Sequence, residues 1–122
     1  MRGDPIPVYN HGEMQRDFTY VDDITAGVSA CIDADGLEPY EIFNLGNHRS
    51  EKLLDLIGVL ETAIGRSATL NMLPMQPGDV PATYADVERA KRKLGYEPTT
   101  PIQVGVPRFV AWYKEYQGVA ND

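Results

Sequence analysis

The sequence has one cysteine, Cys31, and two histidines, His11 and His48, among 122 residues. A lone cysteine cannot close an internal disulfide, and its wide separation from both histidines indicates neither a metal cluster nor a Cys-His catalytic pair. No run approaches the roughly 18 consecutive apolar residues of a membrane helix, and residues 1–5 lack the apolar stretch of a signal peptide. These absences favour a cytoplasmic protein without a metal site.

Two further absences concern phosphate-bearing partners. The sequence contains no G-x-G-x-x-G cluster, the turn that opens a doubly wound sheet and binds a dinucleotide, so we expect the start of such a fold to lie upstream. The formal net charge is −7, which repels polyanions. We therefore expect neither nucleic acid nor a membrane as a partner, and any anionic ligand must be met by local cations.

Short β-prone runs alternate with helical patterns along the whole chain. In chain order we predict strands at 6–9 and 17–21, a helix over 24–32, a strand at 41–45, a helix at 53–64, a strand at 68–73, a helix at 87–94 and a last helix whose regular part follows Pro107. With 43% hydrophobic residues, this order predicts one mixed α/β domain spanning residues 1–122.

Several polar residues precede the predicted helices. Asp22 or Asp23 is suited to cap the first helix, Ser50 the second and Asp86 the third, so the carboxylates need no acid–base role. Thr100 is the predicted N-cap of the last helix. That helix also carries an aromatic cluster, which we interpret as a packing feature rather than a ligand cage: Trp112, Tyr113 and Tyr116.

Three sequence blocks carry a family resemblance. Residues 8–23 read Val-Tyr-Asn-His-Gly-Glu-Met-Gln-Arg-Asp-Phe-Thr-Tyr-Val-Asp-Asp, residues 43–47 read Phe-Asn-Leu-Gly-Asn, and residues 75–86 read Met-Gln-Pro-Gly-Asp-Val-Pro-Ala-Thr-Tyr-Ala-Asp. Together they resemble the C-terminal region of an extended short-chain dehydrogenase/reductase of the NAD-dependent epimerase/dehydratase family, closest to the UDP-glucuronate 4-epimerases. The resemblance implies the nucleotide-sugar-binding part of a Rossmann-type α/β enzyme, with mixed short strands and helices and without the N-terminal dinucleotide-binding half.

The same resemblance implies roles for five residues. Arg16 would hold the diphosphate of a UDP-sugar, a task suited to a permanently charged guanidinium. Phe18 would lie near the nucleoside, and Tyr9 would help to line the uracil pocket. Gln76 stands where relatives often carry an arginine, so a neutral amide would face the diphosphate there. Asp79 would accept hydrogen bonds from the ribose hydroxyls.

The residues by themselves also allow plainer interpretations. Arg16 would be a surface arginine paired with Asp17 or Glu13, and Asp79 a turn residue after Gly78. The two aromatic residues of the predicted site would then belong to ordinary strand packing.

The resemblance also implies a reaction for the longer parent enzyme: oxidation of the sugar at C4 with NAD, rotation of the keto sugar, and re-reduction on its other face. A Tyr-x-x-x-Lys pair moves the proton in that family, but no tyrosine here has lysine four positions later. We therefore expect this chain alone to bind no NAD and to be inactive. Two alternatives remain: the same part of a nucleotide-sugar dehydratase or decarboxylase, and a non-catalytic module that forms homo-oligomers through uncovered apolar faces at residues 24–32 and 43–45.

Overall fold

The computed structural model describes residues 2–118, so residues 1 and 119–122 of the predicted domain lie outside the described residues. The strands are short and the helices account for most of the regular structure. In chain order the elements are β1 (Ile6–Val8), a 3-10 turn (Tyr9–Gly12), β2 (Gln15–Arg16), α1 (Val21–Asp33), β3 (Glu51–Lys52), α2 (Leu53–Ile64), β4 (Leu70–Met72), α3 (Glu88–Leu94) and α4 (Ile102–Gln117). The predicted mixed α/β class is confirmed, and the four predicted helices are present within residues 2–118.

Two small sheets organise the chain. β1 pairs in parallel with β4, with Ile6 opposite Leu70. β2 pairs antiparallel with β3, with Arg16 opposite Glu51, while the other edge of β2 forms a parallel bridge to Ala82. Because β2 has a neighbour on both edges, the short segment that carries Arg16 is held from two sides.

Helix–helix contacts form much of the tertiary packing: α1 packs against α3, and α2 packs against α4. A second cluster joins α3 to the segment before β3, and its buried members are Val87, Ala90 and Tyr96. No helix within residues 2–118 has the length and apolar character that crossing a membrane requires.

Two predicted strands are wrong. The strand expected at 17–21 is displaced to Gln15–Arg16, and residues 17–20 form an irregular link into α1. The segment 41–45 is not a strand, although Phe43 and Leu45 pack against the cluster of α3. Both errors have one physical reason: β-prone residues form a ladder only where a neighbouring backbone supplies hydrogen-bond partners.

Three predicted helix starts are also wrong in detail. Asp23 lies inside α1, where its carboxylate is buried and accepts the amides of Thr99 and Thr100, at 3.3 and 3.0 Å. It therefore holds the segment entering α4 instead of capping its own helix. Ser50 donates to the carbonyl of Thr83, so it does not cap α2. α4 begins at Ile102, with Pro101 at the N-cap position and no side-chain cap, so Thr100 is not its N-cap.

The other predicted helix boundaries agree with the structure only in part. α2 and α3 end at the predicted positions, 64 and 94, where Gly65 and Gly95 follow in left-handed conformation with φ of 81° and 65°. The carboxylate of Asp86 accepts the amide of Glu88 at the start of α3, at 3.0 Å. The prediction that the regular part of the last helix follows Pro107 is wrong, because α4 begins five residues earlier and contains Pro107 in its interior. α4 packs against α2.

Two apolar surfaces stay uncovered in the described chain. One includes exposed side chains on α1 and in segment 40–42, where Ile32 and Tyr40 are 79% and 81% exposed, whereas the face predicted at 43–45 is partly covered because Phe43 and Leu45 pack against the cluster of α3. The other is on α4, where Trp112 and Tyr116 stack at a centroid distance of 5.3 Å. The predicted packing of this aromatic cluster is therefore between its own members at the surface, since Trp112 is 53% exposed.

Candidate functional site

Arg16 and Asp79, predicted to share a ligand, are brought into direct contact. Nη2 of Arg16 donates to Oδ1 of Asp79 at 2.6 Å. The two side chains are 26% and 31% exposed. The surface pairing of Arg16 with Asp17 or Glu13 is not what forms. The two motif runs, 63 positions apart in sequence, meet at this ion pair.

The backbone on either side fixes the position of the pair. The amide of Gln15 donates to the carbonyl of Pro81 at 2.8 Å, and the amide of Thr83 donates back to the carbonyl of Gln15 at 3.2 Å. Nη1 of Arg16 donates to the carbonyl of Gln15 at 2.8 Å and to that of Pro81 at 3.4 Å. A guanidinium tied to two main-chain oxygens has few orientations left, so it is pre-organised for a ligand.

Asp17 is the residue at this site that sequence reasoning missed. Its Oδ1 accepts the amide of Asn47 at 2.7 Å, and its Oδ2 accepts the amides of His48 and Ala85, each at 3.0 Å. The Thr19 hydroxyl adds a fourth hydrogen bond to Oδ1, at 3.3 Å. One carboxylate thus joins the end of β2 to the loop before β3 and to the loop before α3.

Gly46 and Tyr96 complete this junction. A Cβ atom on Gly46 would lie 2.4 Å from the Cβ of Ala85, so only glycine allows the loops to approach this closely. The Tyr96 hydroxyl donates to the carbonyl of Gly46 at 2.8 Å. Burial, followed by the charges of Asp23 and Asp17, raises the pKa of Tyr96, so its hydroxyl stays protonated and acts as a structural donor.

The other three predicted site residues are placed less decisively. Gln76 is exposed and lies in the same turn as Asp79, whose amide donates to the Gln76 carbonyl at 3.2 Å. Tyr9 is half-buried in the 3-10 turn that follows β1. Phe18 lines an apolar cleft of about 360 Å³ between α2 and α4. The roles of these three residues stay predictions.

The histidines do not assemble a reactive centre. His11 and His48 are exposed, and both have left-handed backbones, with φ of 51° and 54°. Nδ1 of His48 lies 3.1 Å from the carbonyl of Ala85. Within the described part of the chain, no three His, Cys, Asp or Glu side chains are grouped to hold a metal ion.

The residues present do not fit a dinucleotide. NAD pyrophosphate binds at a helix start that offers glycine amides and no negative charge. In residues 2–118, α1, α2 and α3 each have an acidic residue in the first turn, and α4 starts at Pro101 and Ile102 without glycine. The helix starts within residues 2–118 therefore do not offer this kind of pyrophosphate site.

Comparison with known proteins places these residues in a family context. The family described as GDP-mannose 4,6 dehydratase matches residues 2–109. The chain is 41% identical to Protein CapI of Staphylococcus aureus, with 91% of this chain and 38% of that protein covered. It is 38% identical to UDP-glucuronate 4-epimerase 4 of Arabidopsis thaliana, with 95% of this chain and 30% of that protein covered.

A solved structure extends the likeness to the fold. The crystal structure of UDP-glucuronic acid 4-epimerase from Bacillus cereus, in complex with UDP-glucuronic acid and NAD, superimposes with a TM-score of 0.85 at 32% identity. The match covers 93% of this chain and 36% of that one. The chain therefore spans about 30–38% of the length of these three proteins.

Proposed function

This chain belongs to the epimerase/dehydratase family of extended short-chain dehydrogenases/reductases, corresponding to its C-terminal region, and we propose that it is the UDP-sugar-binding part of an NAD-dependent UDP-glucuronate 4-epimerase-like enzyme. We also propose that residues 1–122 form one substrate-binding unit and that the protein is cytoplasmic. The contact between Arg16 and Asp79 is the observation that carries this proposal. It places a guanidinium, which is suited to bind phosphate, beside a carboxylate, which is suited to accept hydrogen bonds from hydroxyl groups.

In this proposal the chain is the anchor of the enzyme. Arg16 holds the diphosphate, Asp79 the ribose, and Gln76, Tyr9 and Phe18 complete the surface around the nucleotide. Binding energy placed on the nucleotide lies away from the reacting sugar carbon, so it orients the substrate without preventing the sugar from turning. The isolated chain is proposed to be catalytically inactive, since its sequence has neither a Gly-rich dinucleotide turn nor a Tyr-x-x-x-Lys pair.

Isothermal titration calorimetry of the chain with UDP tests the anchor directly. We expect weak but saturable binding with one site per chain, lost in Arg16→Ala, because the guanidinium supplies the charge for the diphosphate. Arg92→Ala is the matched control, because Arg92 is exposed in the last turn of α3 and its loss changes the net charge equally. UDP binding that is the same in Arg16→Ala and in Arg92→Ala would contradict the proposed anchor.

A nucleotide-sugar dehydratase is the second candidate. The description of the matching family, GDP-mannose 4,6 dehydratase, favours it. The same Arg16 and Asp79 would then anchor the nucleotide, and the reaction would be decided by residues outside this chain. Parallel titration with GDP discriminates between the nucleotides: preference for UDP supports the epimerase-like assignment.

The uncovered apolar surface on α1 and segment 40–42 leads to a separate proposal about assembly. Covering exposed apolar side chains such as Val28, Ile32 and Ile42 with another surface lowers the free energy, because their apolar area is removed from water. We expect the isolated chain to form homo-oligomers through this surface, measured by size-exclusion chromatography with light scattering. Val28→Ser/Ile32→Ser should shift the population towards monomer, and a wild-type monomer at high concentration would rule the proposal out.

A further inference from the structure

The contact between Arg16 and Asp79 also bears on which anions this surface accepts. A guanidinium keeps its proton throughout the physiological pH range, so its charge is neutralised only by a partner. Asp79 is that partner here, at 2.6 Å, with its side chain 31% exposed. To an approaching phosphate, the pair presents no net charge.

The ion pair is asymmetric in what can move. Arg16 is tied through Nη1 to the carbonyls of Gln15 and Pro81. Asp79 sits in the turn after Gly78, and both of its contacts, with Arg16 and with the amide of Val80, use Oδ1 and not Oδ2. A phosphate that binds Nη2 of Arg16 therefore displaces the carboxylate or lies beside it, while the guanidinium stays in place.

A carboxylate left beside a bound phosphate repels it unless a donor satisfies the carboxylate. A ribose next to the diphosphate brings two hydroxyl donors, whereas the oxygens of free pyrophosphate act mainly as acceptors. We propose that Asp79 makes Arg16 selective for anions that carry a ribose, by competing for the guanidinium until ribose hydroxyls take up the carboxylate. This inference rests on the proposed function, and it adds a rejection of phosphates that lack a nucleoside.

Calorimetry with inorganic pyrophosphate and with UDP tests the inference on the whole chain. Asp79→Asn keeps the shape of the side chain and removes its charge. We expect it to bind pyrophosphate about tenfold or more tightly than wild type does, with a smaller gain or a loss for UDP, so the preference for UDP falls. The double variant Asp79→Asn/Arg16→Ala should lose the gain, because the freed guanidinium causes it.

Asp22→Asn is the matched control, because Asp22 is 69% exposed and pairs with Arg108 at 3.9 Å. Its replacement changes the net charge of the chain by the same unit. Asp79→Ala serves as a second variant if Asp79→Asn fails to fold. A gain in pyrophosphate binding no larger than that of Asp22→Asn, or no pyrophosphate binding to any variant, overturns the inference.

The outcomes separate this inference from the proposed function. Wild type that binds UDP and pyrophosphate with equal affinity keeps the anchor and overturns the selection by Asp79. Wild type that binds no UDP, together with an Arg16-dependent gain of pyrophosphate binding in Asp79→Asn, removes the proposed function and supports the competition.

Discussion

Asp17→Asn is expected to lower the free energy of unfolding by about 3 kcal/mol or more, because hydrogen bonds to a charged group contribute about 1.5–3 kcal/mol each. The Asp17 carboxylate accepts the amides of Asn47, His48 and Ala85. Asparagine retains one acceptor oxygen and turns an NH2 group towards backbone N–H donors, so at least one amide loses its partner. Urea unfolding followed by circular dichroism measures the change as a lower midpoint at unchanged slope.

Asp86→Asn provides the control for Asp17→Asn. It makes the same chemical change at a carboxylate that accepts one amide, that of Glu88, at an exposed helix start. Its expected cost is below about 0.5 kcal/mol, because asparagine and aspartate accept amides at a helix start about equally well. If Asp17→Asn costs no more than Asp86→Asn, the description of Asp17 as the residue that joins three segments is wrong.

Local patterns predicted the helices well because their signals are short-range. The apolar stripe of α2 and the glycines at 65 and 95 act within a few residues of the turns that they form. Partners distant in sequence decided the remainder. Asp23 accepts the amides of residues 99 and 100, and Ser50 donates to the carbonyl of residue 83. Neither side chain is therefore free to cap a nearby helix.

The candidate site divides in the same way. Arg16 and Asp79 were predicted because both stand in motif runs, and the fold brings them into contact. Asp17 stands in the same run as Arg16, but the resemblance gave it no role, and the three amides that it accepts are 30, 31 and 68 positions away in sequence. Only the folded chain brings those donors together, so a residue that joins loops has the same appearance in a sequence as any surface carboxylate.

In a protein that joins this chain to an NAD-binding half, Arg16→Ala is expected to raise KM for the UDP-sugar by about tenfold to a hundredfold. Loss of hydrogen bonds from a charged donor costs about 1.5–3 kcal/mol, and each 1.4 kcal/mol is a factor of ten in affinity. The turnover number should change less, because the proposed contact lies on the nucleotide and is made before and during the reaction. Steady-state kinetics over a range of UDP-sugar concentrations measures both constants.

Two variants show whether such a change comes from the guanidinium itself. Arg16→Lys keeps the charge but loses the planar fork that reaches phosphate oxygens, so its KM should lie between wild type and Arg16→Ala. Arg2→Ala removes a side chain that is 91% exposed and should leave KM unchanged. Since Asp79 is partly exposed, water can solvate it when Arg16 is removed, so unfolding should not dominate the result. An unchanged KM in Arg16→Ala would remove Arg16, and with it the proposed anchor, from the binding of the nucleotide.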